Sequence, residues 1–292
     1  MTRHTTLTTA AIVVALALAQ PARGDFTLWG DETMTVNSYH AQGILYDQSR
    51  ASIITGGDVY NLHAYNISTV DMSGGSVNYL HAYDSSTVDM SGGEVYLDIF
   101  AYDTSAVDMS EGSVYRIHSY ESSSVRTSGG EVYGDIFACN SSTVDMSDGS
   151  VWRLHTYDSS SVRMSGGSVY GDIFACNSST VDMSDGSVYW LHTYDSSTVR
   201  MSGGSVGILY ARDTSTVLFD GQDFHLGEGL SLDGWQVLGT GVLSGEWFDG
   251  TPWTVNIMEN APPATILLIP EPGMLALVAL GALGLLLRKR TR

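Results

Sequence analysis

The sequence predicts an all-β protein whose body is a parallel β-solenoid (β-helix) of about nine or ten coils of 18 or 19 residues. Three observations carry this. The motif V-[DR]-M-S-x-G recurs with its valines at Val70, Val88, Val107, Val125, Val144, Val162, Val181, Val199 and Val217, at spacings of 18 or 19, and a fixed short period is the mark of a stacked repeat. Each repeat holds two extended stretches, such as Ser86–Ser91 and Val77–Asp84, in which apolar and polar residues alternate at period two. Nothing in the repeat has helical spacing, and a βαβ unit takes about 30 residues or more. One coil per repeat, stacked in register, is the economical arrangement.

The elements follow in chain order. Residues 1–24 read as a signal peptide: Arg3 and His4 form a weakly basic start, Ala10–Ala19 is an apolar run, and Ala22-Arg23-Gly24 offers a cleavage site, which puts the mature start near Asp25. Residues 25–50 are expected to cap the first coil, and residues 51–220 hold the repeats. Gly-Gly or Asp-Gly, as at Gly92-Gly93 and Asp148-Gly149, separates the two stretches of each coil where positive φ is needed. The column Leu62, Leu80, Ile99, Ile117, Ile136, Leu154, Ile173, Leu191 and Leu209, with the Val and Met columns, should form a dry core. The longer coils place their extra residue between the second valine and this column, which predicts an alternating bulge. A longer period of 37 is also present: residues 125–161 and 162–198 are identical at 32 of 37 positions, so the duplicated unit is a pair of coils. Residues 221–265 break the period and carry Trp235, Trp247 and Trp253, suited to a C-terminal β cap over the last coil.

Residues 270–292 have a three-part layout: Pro270-Glu271-Pro272, an apolar run Gly273–Leu287, and a basic end of Arg288, Lys289, Arg290 and Arg292. The run is about 22 Å long as a helix, and the basic residues would hold that end cytoplasmic. This order resembles the PEP-CTERM sorting signal of bacteria that carry an exosortase. The resemblance implies export through the Sec machinery, transient anchoring in the inner membrane by a C-terminal transmembrane helix, and recognition by an exosortase-type membrane peptidase. It further implies delivery to the cell surface or an extracellular matrix.

Charge narrows the function. Six of the basic residues lie at the two ends, so the body holds 7 Arg against 32 acids, about −25. Such a surface excludes nucleic acid, which needs a basic partner. It also disfavours an enzyme acting on acidic glycans. Cys139 and Cys176 share one column two coils apart, about 9.6 Å, which is beyond disulfide reach. Histidines His63, His81, His118, His155 and His192 alternate with Phe100, Phe137 and Phe174 in a surface ladder. Only His63 and His81 are adjacent, and no third ligand stands at zinc spacing. The residue after each motif valine should face water: Asp71, Asp89 and Asp108 form an unrelieved acidic run, after which Arg and Asp alternate. Asp84, Asp103 and Glu121 form a second run. Rows of oxygen ligands are weak Ca²⁺ candidates, with Asp71, Asp89 and Asp108 the foremost, although the residue two after Gly-Gly is Val rather than the Gly of calcium solenoid repeats. No cofactor is expected otherwise. Near-identical coils argue against a catalytic site, which needs one special place. The expectation is a non-enzymatic structural or adhesive rod of an extracellular polysaccharide matrix, meeting glycans or sister chains. The alternatives are a polysaccharide lyase or glycosidase and a calcium-dependent adhesin.

Overall fold

A computed structural model describes residues 24–270. The expected signal peptide, the apolar run Gly273–Leu287, Glu271, Pro272 and the basic end from Arg288 to Arg292 lie outside the described residues. Among the described residues there is no helix. The body is a parallel β-solenoid of about 11 turns, roughly 50 Å long at ~4.8 Å per coil.

Each central coil is one bent strand of 14 or 15 residues, such as Thr69–Ala82 and Thr87–Ala101, closed by a four-residue turn. Parallel pairing keeps the columns aligned: Val70 pairs with Val88, Met72 with Met90, and Leu80 with Ile99. The register slips between Val77 and Tyr79, and again between Val95 and Asp98, where the 18- and 19-residue coils differ. The expected bulge is there.

The Val, Met and Leu/Ile columns are buried, with Val88, Ile99 and Leu154 at 0% exposure. Two further columns line the interior that periodicity alone did not reveal. One is alanine or a small hydroxyl residue, as at Ala82, Ala101 and Thr156, and the other is serine, as at Ser86, Ser105 and Ser160. The serines close the turns: the Ser105 amide donates to the Tyr102 carbonyl at 3.0 Å, and the same bond recurs at Ser123 and Ser160. In two coils a hydroxyl of the neighbouring column pairs with the serine at 2.7 Å, Ser119 with Ser123 and Thr156 with Ser160, whereas Thr193 reaches Ser215 of the next coil at 2.8 Å.

The Met column has one polar member. Thr127 is 3% exposed between Met109 and Met146, and its hydroxyl finds no partner. Burying an unpaired hydroxyl is unfavourable, and every neighbouring coil already accommodates Met. Thr127→Met should therefore stabilise the rod by about 1–2 kcal/mol, read as a raised urea midpoint. A lowered midpoint would mean that this coil is narrower than its neighbours.

Both ends differ from the sequence expectation. Residues 25–50 are not a separate cap but further coils: Phe26–Leu28 pairs in parallel with Tyr39–Leu45, and Thr33–Val36 with Arg50–Ile53. This raises the count above nine or ten. At the other end, residues 221–251 form antiparallel hairpins, such as Leu230–Asp233 with Gln236–Gly239. The chain then returns to the stack, where Pro252–Asn260 and Thr265–Ile269 pair in parallel with Ser205–Ala211 and Thr216–Asp220. Of the expected cap, the second part is therefore a last turn of the solenoid. Trp247 and Trp253 stack at 4.8 Å and, with Phe219, close the core, whereas Trp235 is 42% exposed.

Candidate functional site

In-register stacking turns every outward column into a file along the rod. Two faces carry files with chemistry. The first is an open groove of about 1030 Å³ lined by the residue after the motif valine in the coils from Asp89 to Arg200 and by the serine two places on. Its charges pair across coils, Arg126 with Asp108 at 3.3 Å and Arg163 with Asp145 at 3.6 Å. Asp89 and Asp108 of the acidic run lie here, and Asp71 stands in register with them just beyond the groove's end. The run is relieved at both ends, which corrects the sequence reading: Arg50 reaches across from the preceding coil to Asp71, and Arg126 holds Asp108. Asp89 is left between two like charges. Burial, then Asp108 and Asp71, push its carboxyl above the ordinary carboxylate range. Among the described residues, no three His, Cys, Asp or Glu side chains converge as a metal site would require.

The second acidic run has a structural task. Asp84, Asp103 and Glu121 occupy the turn corners, as do Asn66 and Asn140, all at φ between 52° and 60°. Each corner side chain accepts from the corner amide of the coil before it: Asn66 N–H donates to Asp84 at 2.9 Å, and Asp84 N–H to Asp103 at 3.1 Å. Asp and Asn tolerate this left-handed conformation better than other non-glycine residues, which explains their place in the repeat.

The second face is richer. Outermost stands the residue after the second valine: Tyr96, Tyr115, Tyr133, Trp152, Tyr170 and Tyr189 in six successive coils, each 46–59% exposed. Next to it runs a file in which aspartates of the 19-residue coils meet arginines of the 18-residue coils. Arg116 grips Asp98 through two N–H groups at 2.7 and 3.1 Å, and Arg153 grips Asp135 at 2.8 and 3.3 Å. Asp98 is buried, and His118 Nε2 lies 3.3 Å from it. Asp172 has His192 Nε2 at 3.0 Å instead. These aspartates sit inside the bulge, where the register slips, so the periodic columns of the sequence do not expose them. A cue was present in the alternation of Asp98, Arg116, Asp135 and Arg153.

Third comes the His/Phe file. The rings of His81 and Phe100, Phe100 and His118, and His118 and Phe137 stack at 4.8–4.9 Å, so the expected aromatic ladder is continuous. Beside it, Tyr65, Tyr83, Tyr102 and Tyr120 stack at 4.7–5.3 Å. Cys139 and Cys176 interrupt this last file as free, half-buried thiols. Burial, with Asp158 and Asp195 nearby, raises both thiol pKa values and keeps the thiols protonated.

Burial lowers the pKa of His63, His118, His155 and His192 below 6.5, and takes that of His81 to about 4 with His63 adding to the effect. The unfolded chain therefore takes up protons that the rod refuses. The stabilising contribution is fully present above about pH 6.5 and is lost as pH falls towards 4. The melting temperature should drop by several degrees between pH 7.5 and 4.5. In His81→Phe, which copies the neighbouring coil, the drop should be smaller. An equal drop in both proteins would show that carboxylates alone set the acid limit.

Residues 268–290 match the PEP-CTERM protein-sorting motif. No curated protein and no solved structure matches the chain. The motif is the recognition signal for exosortase, a membrane protein, and marks export with transient membrane anchoring before surface sorting. It opens inside the last strand, Thr265–Ile269, where Leu268 fills the core beneath Phe219.

Proposed function

We propose that this surface-sorted solenoid is a non-catalytic adhesive or structural rod of the extracellular polysaccharide matrix. The observation that carries this reading is the regularity of the outward files: each pair of coils offers much the same side chains as the next, so contacts add along the rod. Weak contacts repeated on one rigid body gain avidity without any single strong site. A catalytic centre would need a place unlike the rest, and the groove on the first face repeats its Asp, Arg and Ser from coil to coil. Export by Sec, the exosortase as processing partner and loss of the C-terminal segment belong to the same reading. Residence in the matrix rather than in the membrane is its end point.

Deletion of the gene in the parent organism should weaken surface adhesion or matrix cohesion. Restoring the full chain should recover both, with the protein in the matrix fraction at a mass lacking about residues 1–24 and the segment after Pro270. Incubated with matrix polysaccharide, the protein should release no new reducing ends or unsaturated sugars. Release of either would replace the adhesive reading with the enzymatic one. A chain retaining Arg292 in the membrane fraction would make it a membrane-tethered rod instead.

A further inference from the structure

We infer that the second face is a binding track for an uncharged polysaccharide lying along the rod axis, with Tyr96, Tyr115, Tyr133, Trp152, Tyr170 and Tyr189 as its stacking platform. The inference rests on the adhesive reading and narrows it to one face and one class of glycan.

Three observations select this occupant. The six side chains come one from each of six successive coils, whose backbones lie ~4.8 Å apart, and each is about half in water. A contiguous apolar stripe of this kind marks an interaction surface on an exported chain. Tyrosine and tryptophan supply broad, rigid contact with a polar edge, which suits a pyranose with its apolar C–H face and its hydroxyl rim.

The file beside the rings is polar and carries no net positive charge: two of its aspartates are cancelled by arginines, and Asp172 has only His192. Asp98 is neutralised by Arg116 and Asp135 by Arg153, each through paired N–H bonds. These groups keep free hydrogen-bonding positions for hydroxyls while offering no net field to a carboxylate or sulfate. The acidic body, about −25 overall, repels polyanions as a whole. The Arg116 guanidinium also lies 5.3 Å from the Tyr115 ring centroid, which holds platform and rail together. Finally, the platform runs along the axis with a two-coil repeat, so a regular sugar chain meets recurring flanking groups at every second coil.

The test uses the full-length protein in mild detergent, co-sedimented with an insoluble neutral β-glucan and, separately, with a crosslinked polyuronate. The wild type should be retained by the neutral polymer and not by the acidic one. The triple variant Tyr115→Ser, Trp152→Ser, Tyr170→Ser should bind at least tenfold more weakly with its melting temperature held. A groove variant on the first face, Arg126→Gln with Asp145→Asn, should bind as the wild type does. Retention abolished by the groove variant and spared by the triple variant would overturn the assignment of the face while leaving the adhesive reading intact. Preference for the polyuronate would overturn the choice of an uncharged glycan. Concentration-dependent self-association of the wild type, abolished by the triple variant and without glycan retention, would make the face an interface between copies and overturn the proposal. Retention by neither polymer, without self-association, would remove the track. The adhesive reading itself falls only if the gene deletion leaves adhesion and cohesion unchanged.

Discussion

Gly149→Ala is expected to destabilise the rod by on the order of 3 kcal/mol, a fall in melting temperature of roughly 10 °C. Gly149 sits at φ 91°, a conformation that costs an L residue about 1–2 kcal/mol. A Cβ there would also lie 2.8 Å from the Gly129 carbonyl oxygen and 2.9 Å from that of Gly130. Those oxygens belong to the coil beneath, whose bend is held between Thr127 and Glu131, each paired with a neighbouring coil on both sides, and cannot yield cheaply. Gly234 is the control: its φ is 60°, yet nothing stands within 4 Å of a Cβ built on it. Gly234→Ala should cost about 1–2 kcal/mol, from backbone conformation alone. Equal losses in the two variants would show that close packing of coil on coil is not what demands glycine at the bend.

The second large effect concerns Asp98. Its side chain is 6% exposed, and Arg116 supplies two of its hydrogen bonds. Removing one partner of a buried pair costs about 3–5 kcal/mol, because the other charge is stranded. Arg116 is 40% exposed and His118 remains beside Asp98, so Arg116→Met should cost about 2–3 kcal/mol. The double variant Asp98→Asn, Arg116→Met should recover most of the loss. Arg163→Met is the contrast: its contact with Asp145 is 3.6 Å long and open to water, and its loss should be within about 0.5 kcal/mol. A double variant no better than Arg116→Met alone would mean that the arginine stem, and not the charge, does the stabilising.

Much of this architecture was legible because stacking turns period into position. The Val, Met and Leu/Ile columns name the core directly, and the 18/19 alternation names the bulge. The ends were not legible, for steric reasons. Gly43 stands where other coils carry Leu or Ile, and a Cβ on it would fall 2.3 Å from the Phe26 ring. The ring of one coil replaces the side chain of the next, so the motif disappears while the fold continues. The last turn is hidden differently, since Phe219 and its partner Leu268 are separated in sequence by the antiparallel hairpins. Of the candidate sites, the aromatic ladder could be read from the sequence. The roles of the acidic residues could not. Whether Asp103 faces solvent, binds an ion or receives a backbone amide depends on the left-handed corner it occupies, and composition is silent on that.

The pairing of Asp98 with Arg116 and of Asp135 with Arg153 has a consequence for heredity. Each ion pair joins a 19-residue coil to an 18-residue one. Losing a single coil, such as the one that carries Arg116, would set Asp98 against Asp135 and put two bulges in succession. Losing or gaining 37 residues preserves both phase and charge, and residues 125–161 and 162–198 are alike enough for recombination to slip between them. Alleles of this gene should therefore differ in length by even numbers of coils. The reach of the rod would then evolve in increments of about 9.6 Å, without any change in what its faces offer.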